Sequence, residues 1–168
     1  KLPTFYVTAP TYPENCATDL PYTLLEGDDY FPEMLVGRLC IDTIDELQNI
    51  ISKTIRYEKV SIPNTNNWQN KGLIVAGNYS SGTTIPTTPV DMSRWAYEKM
   101  LSRGYTQVDT VFYQDGGAAP SYMTEQIKNA LNQGVQYVSY RGWGSANGWQ
   151  FPEFYRAHLA MTNNGGKT

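Results

Sequence analysis

Gly72-Leu-Ile-Val-Ala-Gly77 is a short, uninterrupted apolar run rich in β-forming residues. A run without polar alternation is typical of a strand that is buried on both faces of a parallel sheet. Similar strand patterns recur at residues 34–41, 108–113 and 135–140, and helical patterns separate them at 44–57, 89–103, 121–133 and 151–161. This alternation predicts an α/β fold with a mainly parallel sheet flanked by helices.

The ends of the predicted helices carry capping residues. Asp42 and Thr43 are good N-caps for the first helix, and Gly104 and Gly134 stand where C-caps are expected. Helical spacing also predicts which side chains face inward. These are Met92, Trp95, Ala96 and Met100 in the helix at 89–103, and Ile127, Ala130 and Leu131 in the helix at 121–133.

Length and composition bound the class of protein. The 168 residues suit one domain, predicted over 1–168. An extended loop is expected over 1–21, with one possible strand at 4–8. A net charge of −3 provides no basic field for nucleic acid, and no apolar run is long enough to span a membrane. The chain begins without Met and ends in a loop-like segment, so we expect a piece of a longer protein, incomplete at both ends. Thirteen Tyr, four Trp and only 17% charged residues favour an extracytoplasmic location.

Several motifs occur together in one order along the chain. Asp19-Leu-Pro-Tyr22 is followed by Leu24-Leu-Glu-Gly-Asp-Asp-Tyr-Phe-Pro-Glu-Met-Leu-Val-Gly-Arg38, then by a helix carrying Ile55-Arg-Tyr-Glu58, and later by Tyr140-Arg-Gly-Trp-Gly-Ser145. From about Asp19 to Thr168 this series resembles the gingipain family of cysteine peptidases. The resemblance implies a caspase-like α/β fold, a protein or peptide substrate, and a secreted or surface-attached bacterial protein.

The resemblance also assigns the catalytic positions. Members carry Gly-His-Gly-Ser where this chain has Gly142-Trp143-Gly144-Ser145, so Trp143 stands in the place of the catalytic histidine. The acid that orients that histidine follows an earlier strand, and Asn78 takes its place here. The nucleophilic cysteine of the family follows a later strand than this chain contains. His158 is the sole histidine and is expected to be structural. We therefore expect a peptidase segment that is inactive as written; the alternative is a non-catalytic module that binds a peptide or glycan.

Two residues are candidate substrate contacts. Asp91 matches a residue that lines the primary specificity pocket of arginine-specific gingipains, where a carboxylate would pair with a basic side chain; an N-cap of the second major helix is the alternative. Trp149, with Tyr113, Tyr137, Tyr140 and Trp143, either forms an aromatic binding surface or packs at the sheet edge.

An acidic turn is the candidate metal site. Glu26, Asp28, Asp29 and Glu33 crowd one turn, and related peptidases bind calcium, so Asp28, Asp29 and Glu33 are candidate Ca²⁺ ligands. The alternative is a solvated acidic turn, and either this turn or Glu58 is the expected partner of Arg38. Cys16 is expected in a loop and Cys40 in a strand, and their spacing fits no metal site. They form either a disulfide or two buried or unreactive thiols. Because the sheet is expected to lack neighbouring strands, a homodimer or swapped assembly is also predicted.

Overall fold

The computed structural model describes residues 2–8, 15–59, 68–77, 89–113 and 119–165. The chain divides into two compact units, Lys1–Asn49 and Ile50–Thr168, and the division falls within helix α1 (Ile44–Lys59). The single partial domain over 1–168 stays a prediction.

The first unit contains an antiparallel strand pair near its start. β1 (Phe5–Thr8) pairs with β2 (Asn15–Thr18), and a 3₁₀ turn at Leu20–Tyr22 follows. β1 confirms the possible strand predicted at 4–8, whereas the expected loop is wrong at Asn15–Thr18, which form β2. The β-branched residues Val7, Thr8 and Thr18 favour strands, and their backbone groups find partners across the pair.

The predicted strand at 34–41 is also wrong, because these residues adopt no regular secondary structure. Their apolar side chains are exposed, with Leu35 at 95% and Leu39 at 53%. Strand propensity depends on a half-buried surface to pack against, and within the described part of the first unit most of this segment is exposed. Cys40 accordingly lies outside any strand, whereas Cys16 lies in β2; both cysteines are exposed and no disulfide joins them.

Arg38 organises the first unit through its guanidinium group. Its Nε and Nη2 atoms donate to the Asp19 carboxylate at 2.8 and 2.6 Å, and Nη1 and Nη2 donate to the carbonyls of Leu2 and Pro3. The prediction that the acidic turn or Glu58 is the partner of Arg38 is therefore wrong. The hydrogen bond from Arg38 lowers the pKa of Asp19 below its usual value, because a fork of two parallel bonds favours the charged carboxylate.

This ion pair predicts an acid-dependent loss of stability. Because the pKa of Asp19 is lower in the folded protein, the ion pair with Arg38 stabilises the fold fully at pH values above about 4, the pKa of Asp in the unfolded chain. The contribution is lost as the pH falls through the lower folded value. We expect Asp19→Asn to lower the melting temperature at pH 7 and to flatten its dependence on pH below 4.

A double-mutant cycle with Arg38→Gln, followed by thermal melts between pH 2 and 7, checks this prediction. The two substitutions should be strongly non-additive at pH 7 and nearly additive at pH 2. Additive effects at both pH values would show that the pair contributes nothing.

Helix α1 begins as its caps predict. The Thr43 hydroxyl accepts the Glu46 N–H at 3.2 Å, and the Glu46 carboxylate accepts the N–H groups of Asp42 and Thr43 at 2.8 and 3.0 Å. This reciprocal capping box satisfies N–H groups that have no partner within the helix. The same bonds lower the pKa of Glu46.

The second unit is built on a parallel sheet, which confirms the predicted fold class. β3 (Lys71–Gly77) lies between β4 (Gln107–Tyr113) and β5 (Tyr137–Arg141), and both pairings are parallel. β3 is buried throughout after its first residue, as expected for a strand covered on both faces. Among the described residues, β4 and β5 pair only with β3, and the homodimer stays a prediction.

Two helices cover the faces of this sheet. Leu73 and Val75 pack with Met123, Ile127 and Ala130 of α3 (Ser121–Gln133), which confirms the predicted inner face of that helix. On the other face, Gly72 lies against Met100 of α2 (Pro89–Ser102). Both helices end near glycines with positive φ, Gly104 at 99° and Gly134 at 90°.

The inner face of α2 differs from its prediction. Met92 and Trp95 are exposed, at 37% and 56%, whereas Val90 and Ser93 are buried. Burial of Val90 sets the rotation of the helix, and the residue two positions later then turns toward solvent. Arg94 and Lys99 lie over the rings of Phe112 and Trp95, so Trp95 is partly covered by a cation on its own helix.

The predicted helix at 151–161 is wrong over its first half. Residues 144–155 form three short antiparallel strands, β6 (Gly144–Ser145), β7 (Gly148–Gln150) and β8 (Glu153–Tyr155), and only α4 (Arg156–Leu159) is helical. Pro152 disfavours a helical conformation at Phe151, and burial of Phe154 against the core fixes the strand instead. No helix in the described ranges is long and apolar enough to cross a membrane.

Candidate active site at the carboxyl edge of the parallel sheet

The carboxyl ends of β3, β4 and β5 lie at one edge of the sheet. Gly77 pairs with Tyr113, and Ala76 pairs with Arg141, so the three strands end at nearly the same level. Ligands of open parallel sheets bind at this edge, because the loops that follow the strands converge there. The edge is therefore the candidate active site of the second unit.

Phe151 crosses this edge above the end of β3. A Cβ atom added to Gly77 would overlap the carbonyl oxygen of Phe151, so only glycine allows the two backbones to approach this closely. The Phe151 ring stacks on Tyr113 at a centroid distance of 6.2 Å. The connection between β7 and β8 is thus seated directly on the ends of β3 and β4.

Trp143 lies two residues beyond the end of β5. Its side chain is 54% exposed, so it lies outside the hydrophobic core. Its carbonyl oxygen accepts hydrogen bonds from the Gln150 N–H at 2.9 Å and from the Tyr140 hydroxyl at 2.5 Å. The backbone carbonyl of Trp143 therefore accepts two hydrogen bonds, while just over half of the side chain is exposed.

Asn78 follows Gly77 and lies outside the described residues. Ala76 and Arg141 are register partners, and Asn78 and Trp143 each come two residues later in the chain. The proximity of Asn78 to Trp143 and its place as the orienting acid stay predictions.

Trp149 and Asp91 occupy different settings. Trp149 stacks on Tyr140, with centroids 4.4 Å apart and planes 8° apart, and it also contacts Phe154. It is half-buried against the core, which favours packing over an open binding surface. Asp91 lies in the first turn of α2 with a half-exposed carboxylate, 3.4 Å from Arg94. Its role toward a substrate stays a prediction.

A profile of peptidase family C25 matches residues 2–168. This chain belongs to that family. Among curated proteins it is 32% identical to Lys-gingipain W83 of Porphyromonas gingivalis over 87% of this chain and 8% of the relative. It is 26% identical to gingipain R2 of the same species, over 88% of this chain and 19% of the relative. The chain thus spans less than a fifth of the length of these relatives.

Solved structures agree with the C25 assignment at the level of the fold. The crystal structure of the Arg-specific cysteine proteinase gingipain R superposes with a TM-score of 0.75 at 23% identity, over 90% of this chain and 34% of that chain. A complex of the gingipain pro- and mature domains from Porphyromonas gingivalis gives a TM-score of 0.77 at 22% identity. The caspase-like α/β architecture expected from the sequence is consistent with both.

The sole histidine of this C25 chain is held in a structural role. His158 Nδ1 accepts the N–H of Tyr155 at 3.0 Å, and its ring stacks on Tyr155 with a centroid distance of 5.5 Å. A neutral imidazole that accepts at Nδ1 carries its proton on Nε2, so neither nitrogen has a lone pair left to remove a proton. The geometry agrees with the structural role expected for His158.

The carboxylates of the acidic turn accept hydrogen bonds from backbone N–H groups of the same turn. The Glu33 carboxylate accepts the N–H groups of Leu25 and Glu26 at 2.7 and 3.4 Å, which lowers its pKa. Asp29 accepts the N–H of Phe31 at 2.8 Å. Within the described ranges, no three acidic, histidine or cysteine side chains gather into a group that could hold a metal ion. The Ca²⁺ site at Asp28, Asp29 and Glu33 stays a prediction.

Sequence reasoning did not identify the two contacts that shape this C25 site. A glycine at the end of a buried strand is a signal of close backbone approach, so Gly77 could have been found. The Tyr140 hydroxyl donates to the carbonyl of Trp143, three residues later, and no residue pattern in the sequence signals this bond.

Proposed function

We propose that this chain is a segment of a gingipain-like cysteine endopeptidase domain that cannot hydrolyse peptide bonds as written. The observation that carries the proposal is Trp143, which stands where the family sequence has its catalytic histidine and follows β5 at the carboxyl edge of the sheet. Membership of peptidase family C25 supports the peptidase origin.

The chemistry of a cysteine peptidase explains why this substitution is decisive. An imidazole removes the proton of the thiol and later returns it to the leaving amine. An indole has one N–H donor and no acceptor, so Trp143 can do neither. His158 cannot substitute, because its Nδ1 accepts a backbone N–H. Cys16 and Cys40 both precede β3 in the chain, whereas the family nucleophile follows the histidine segment.

The substrate class and location follow from the same family. We propose a protein or peptide substrate, with the exposed carboxylate of Asp91 facing a basic side chain of that substrate. We also propose that the protein is secreted or attached to a bacterial surface. The family membership and the low content of charged residues support this location.

A second candidate function is a non-catalytic module that holds a peptide or glycan at the same edge. The 54% exposure of Trp143 at the sheet edge favours it, because a partly exposed aromatic side chain can contribute apolar surface to a peptide or sugar. The two candidates share the site and differ in whether a covalent step occurs.

A cleavage assay tests the first candidate. We expect this chain to show no inhibitor-sensitive cleavage of peptides containing Arg or Lys, and no labelling by thiol-directed peptidase inhibitors at a hydrolytic site. Trp143→His is the matched variant, and it should also be inactive in this chain because an imidazole without a neighbouring thiolate has nothing to activate. Inhibitor-sensitive cleavage by the chain with Trp143 would refute the proposal. Binding of an uncleaved peptide or glycan that is lost in Trp143→Ala would favour the second candidate.

A further inference from the structure

Tyr140 is the penultimate residue of β5, and its side chain reaches the backbone that follows the strand. Its hydroxyl donates to the Trp143 carbonyl at 2.5 Å and lies 3.5 Å from the Phe151 carbonyl. Its ring is fixed from the side by the parallel stack on Trp149. A single rigid group thus contacts both segments that cross the carboxyl edge of the sheet.

Glycine at position 142 leaves the space that the Tyr140 side chain occupies. A Cβ atom added at residue 142 would lie 2.5 Å from the Tyr140 hydroxyl and 2.8 Å from the ring carbon that carries it. The requirement is one of space, because Gly142 is not among the glycines with positive φ. Gly144, the other glycine beside Trp143, faces only an ordinary contact of 3.5 Å to the Gly148 carbonyl. The two glycines that bracket Trp143 therefore have different roles.

We propose that Tyr140 is the positioning residue for the side chain at position 143. The Tyr140 hydroxyl and the Gln150 N–H hold the carbonyl of residue 143 from two sides, and this fixes the direction in which the Cα–Cβ bond leaves the backbone. Because the carbonyl is held, the exposed side chain projects from a rigid base instead of a mobile loop. That position 143 corresponds to a catalytic histidine rests on the proposed function; the positioning itself rests on these contacts.

The Tyr140→Phe variant removes the hydroxyl and keeps the ring that stacks on Trp149. Tyr137→Phe is the matched control, because it removes a hydroxyl from the same strand. Both are read by ¹⁹F NMR of protein labelled with fluorotryptophan, in which Trp143→Phe identifies the resonance of residue 143 among the four Trp signals. We expect Tyr140→Phe to shift and broaden that resonance and to leave the signals of Trp68 and Trp95 in place. Tyr137→Phe should not shift or broaden the resonance of residue 143. An unchanged Trp143 resonance in Tyr140→Phe would overturn the proposal.

A second pair of variants keeps the proposal falsifiable if Tyr140→Phe is less stable. Gly142→Ala should destabilise the wild-type protein more than it destabilises a Tyr140→Leu protein, because the added methyl group meets the hydroxyl and the ring carbon that carries it, and leucine has neither atom. Equal destabilisation in both backgrounds would contradict the contact. These readouts do not require hydrolysis, so their failure leaves the proposed function standing, and detection of peptidase activity would refute that function without bearing on Tyr140.

Discussion

Substituting Gly77 by alanine should destabilise the second unit by about 3 kcal/mol, toward the upper end of overpacking costs in tightly packed sites. The added Cβ atom would overlap the carbonyl oxygen of Phe151. A backbone oxygen cannot rotate away as the end of a flexible side chain can. Relief therefore requires β3 to separate from the connection between β7 and β8. Urea denaturation followed by circular dichroism measures the effect.

Gly144→Ala is the matched control for this experiment. It lies in β6 near the same edge, and its added Cβ atom meets only the Gly148 carbonyl at 3.5 Å. We expect a change within about 0.5 kcal/mol for this variant. Equal stabilities of the two variants would show that Phe151 does not lie on Gly77 in solution.

Substituting Ile127 by alanine should cost about 3–4 kcal/mol in the free energy of unfolding. Ile127 is fully buried and packs with Leu73, Val75 and Val111 of the sheet in the core between the sheet and α3. Truncation removes three carbon atoms from a site that β3 and β4 line with rigid backbone. The core can collapse only partly into the space, so a cavity adds to the lost transfer free energy.

The control for the core substitution lies on the same helix. Tyr122 is 56% exposed, so Tyr122→Ala should cost less than about 1 kcal/mol. Urea denaturation gives both values under identical conditions. A loss at Ile127 no greater than that at Tyr122 would place Ile127 outside the core and would contradict the packing of α3 on the sheet.

The sequence predicts the parallel sheet and α3 well because their signals are local. The run from Gly72 to Gly77 is apolar at every position, and its burial on both faces follows directly. In α3, Ile127 and Ala130 recur at helical spacing, and Gly134 ends the helix with a positive φ. Each of these features can be identified without knowing what else the chain contacts.

The failed predictions depend on distant contacts or on their absence within a unit. Residues 34–41 resemble a strand by composition, yet Leu35 is exposed and Arg38 is held by Asp19, nineteen residues earlier. At 151–161, the apolar spacing indicates a helix, but Pro152 and the pairing of β7 with β8 favour strands. Met92 and Trp95 were placed on the wrong face of α2 because burial of Val90 sets the rotation of that helix.

Only part of the candidate site could be predicted from the sequence. The end of β5 near residue 141 and the exposure of Trp143 follow from the strand pattern and the glycine-rich turn. Gly77 signals a close backbone approach, but the identity of Phe151 as the approaching residue could not be predicted, because it depends on the return of the β7–β8 hairpin over the sheet edge. The contact between the Tyr140 hydroxyl and the Phe151 carbonyl depends on the same return.

Hydrolysis of Arg- and Lys-containing peptides by this chain, measured with and without a thiol-directed inhibitor, shows most directly whether the site is active. We expect no inhibitor-sensitive hydrolysis while Trp143 is present, because a positioned general base contributes about 10²–10⁴-fold to the rate and an indole cannot act as one. Where a cysteine follows the histidine segment, Trp143→His should raise the rate by at least about 100-fold. Inhibitor-sensitive hydrolysis by the chain with Trp143 would contradict the inactivity that the indole at position 143 implies.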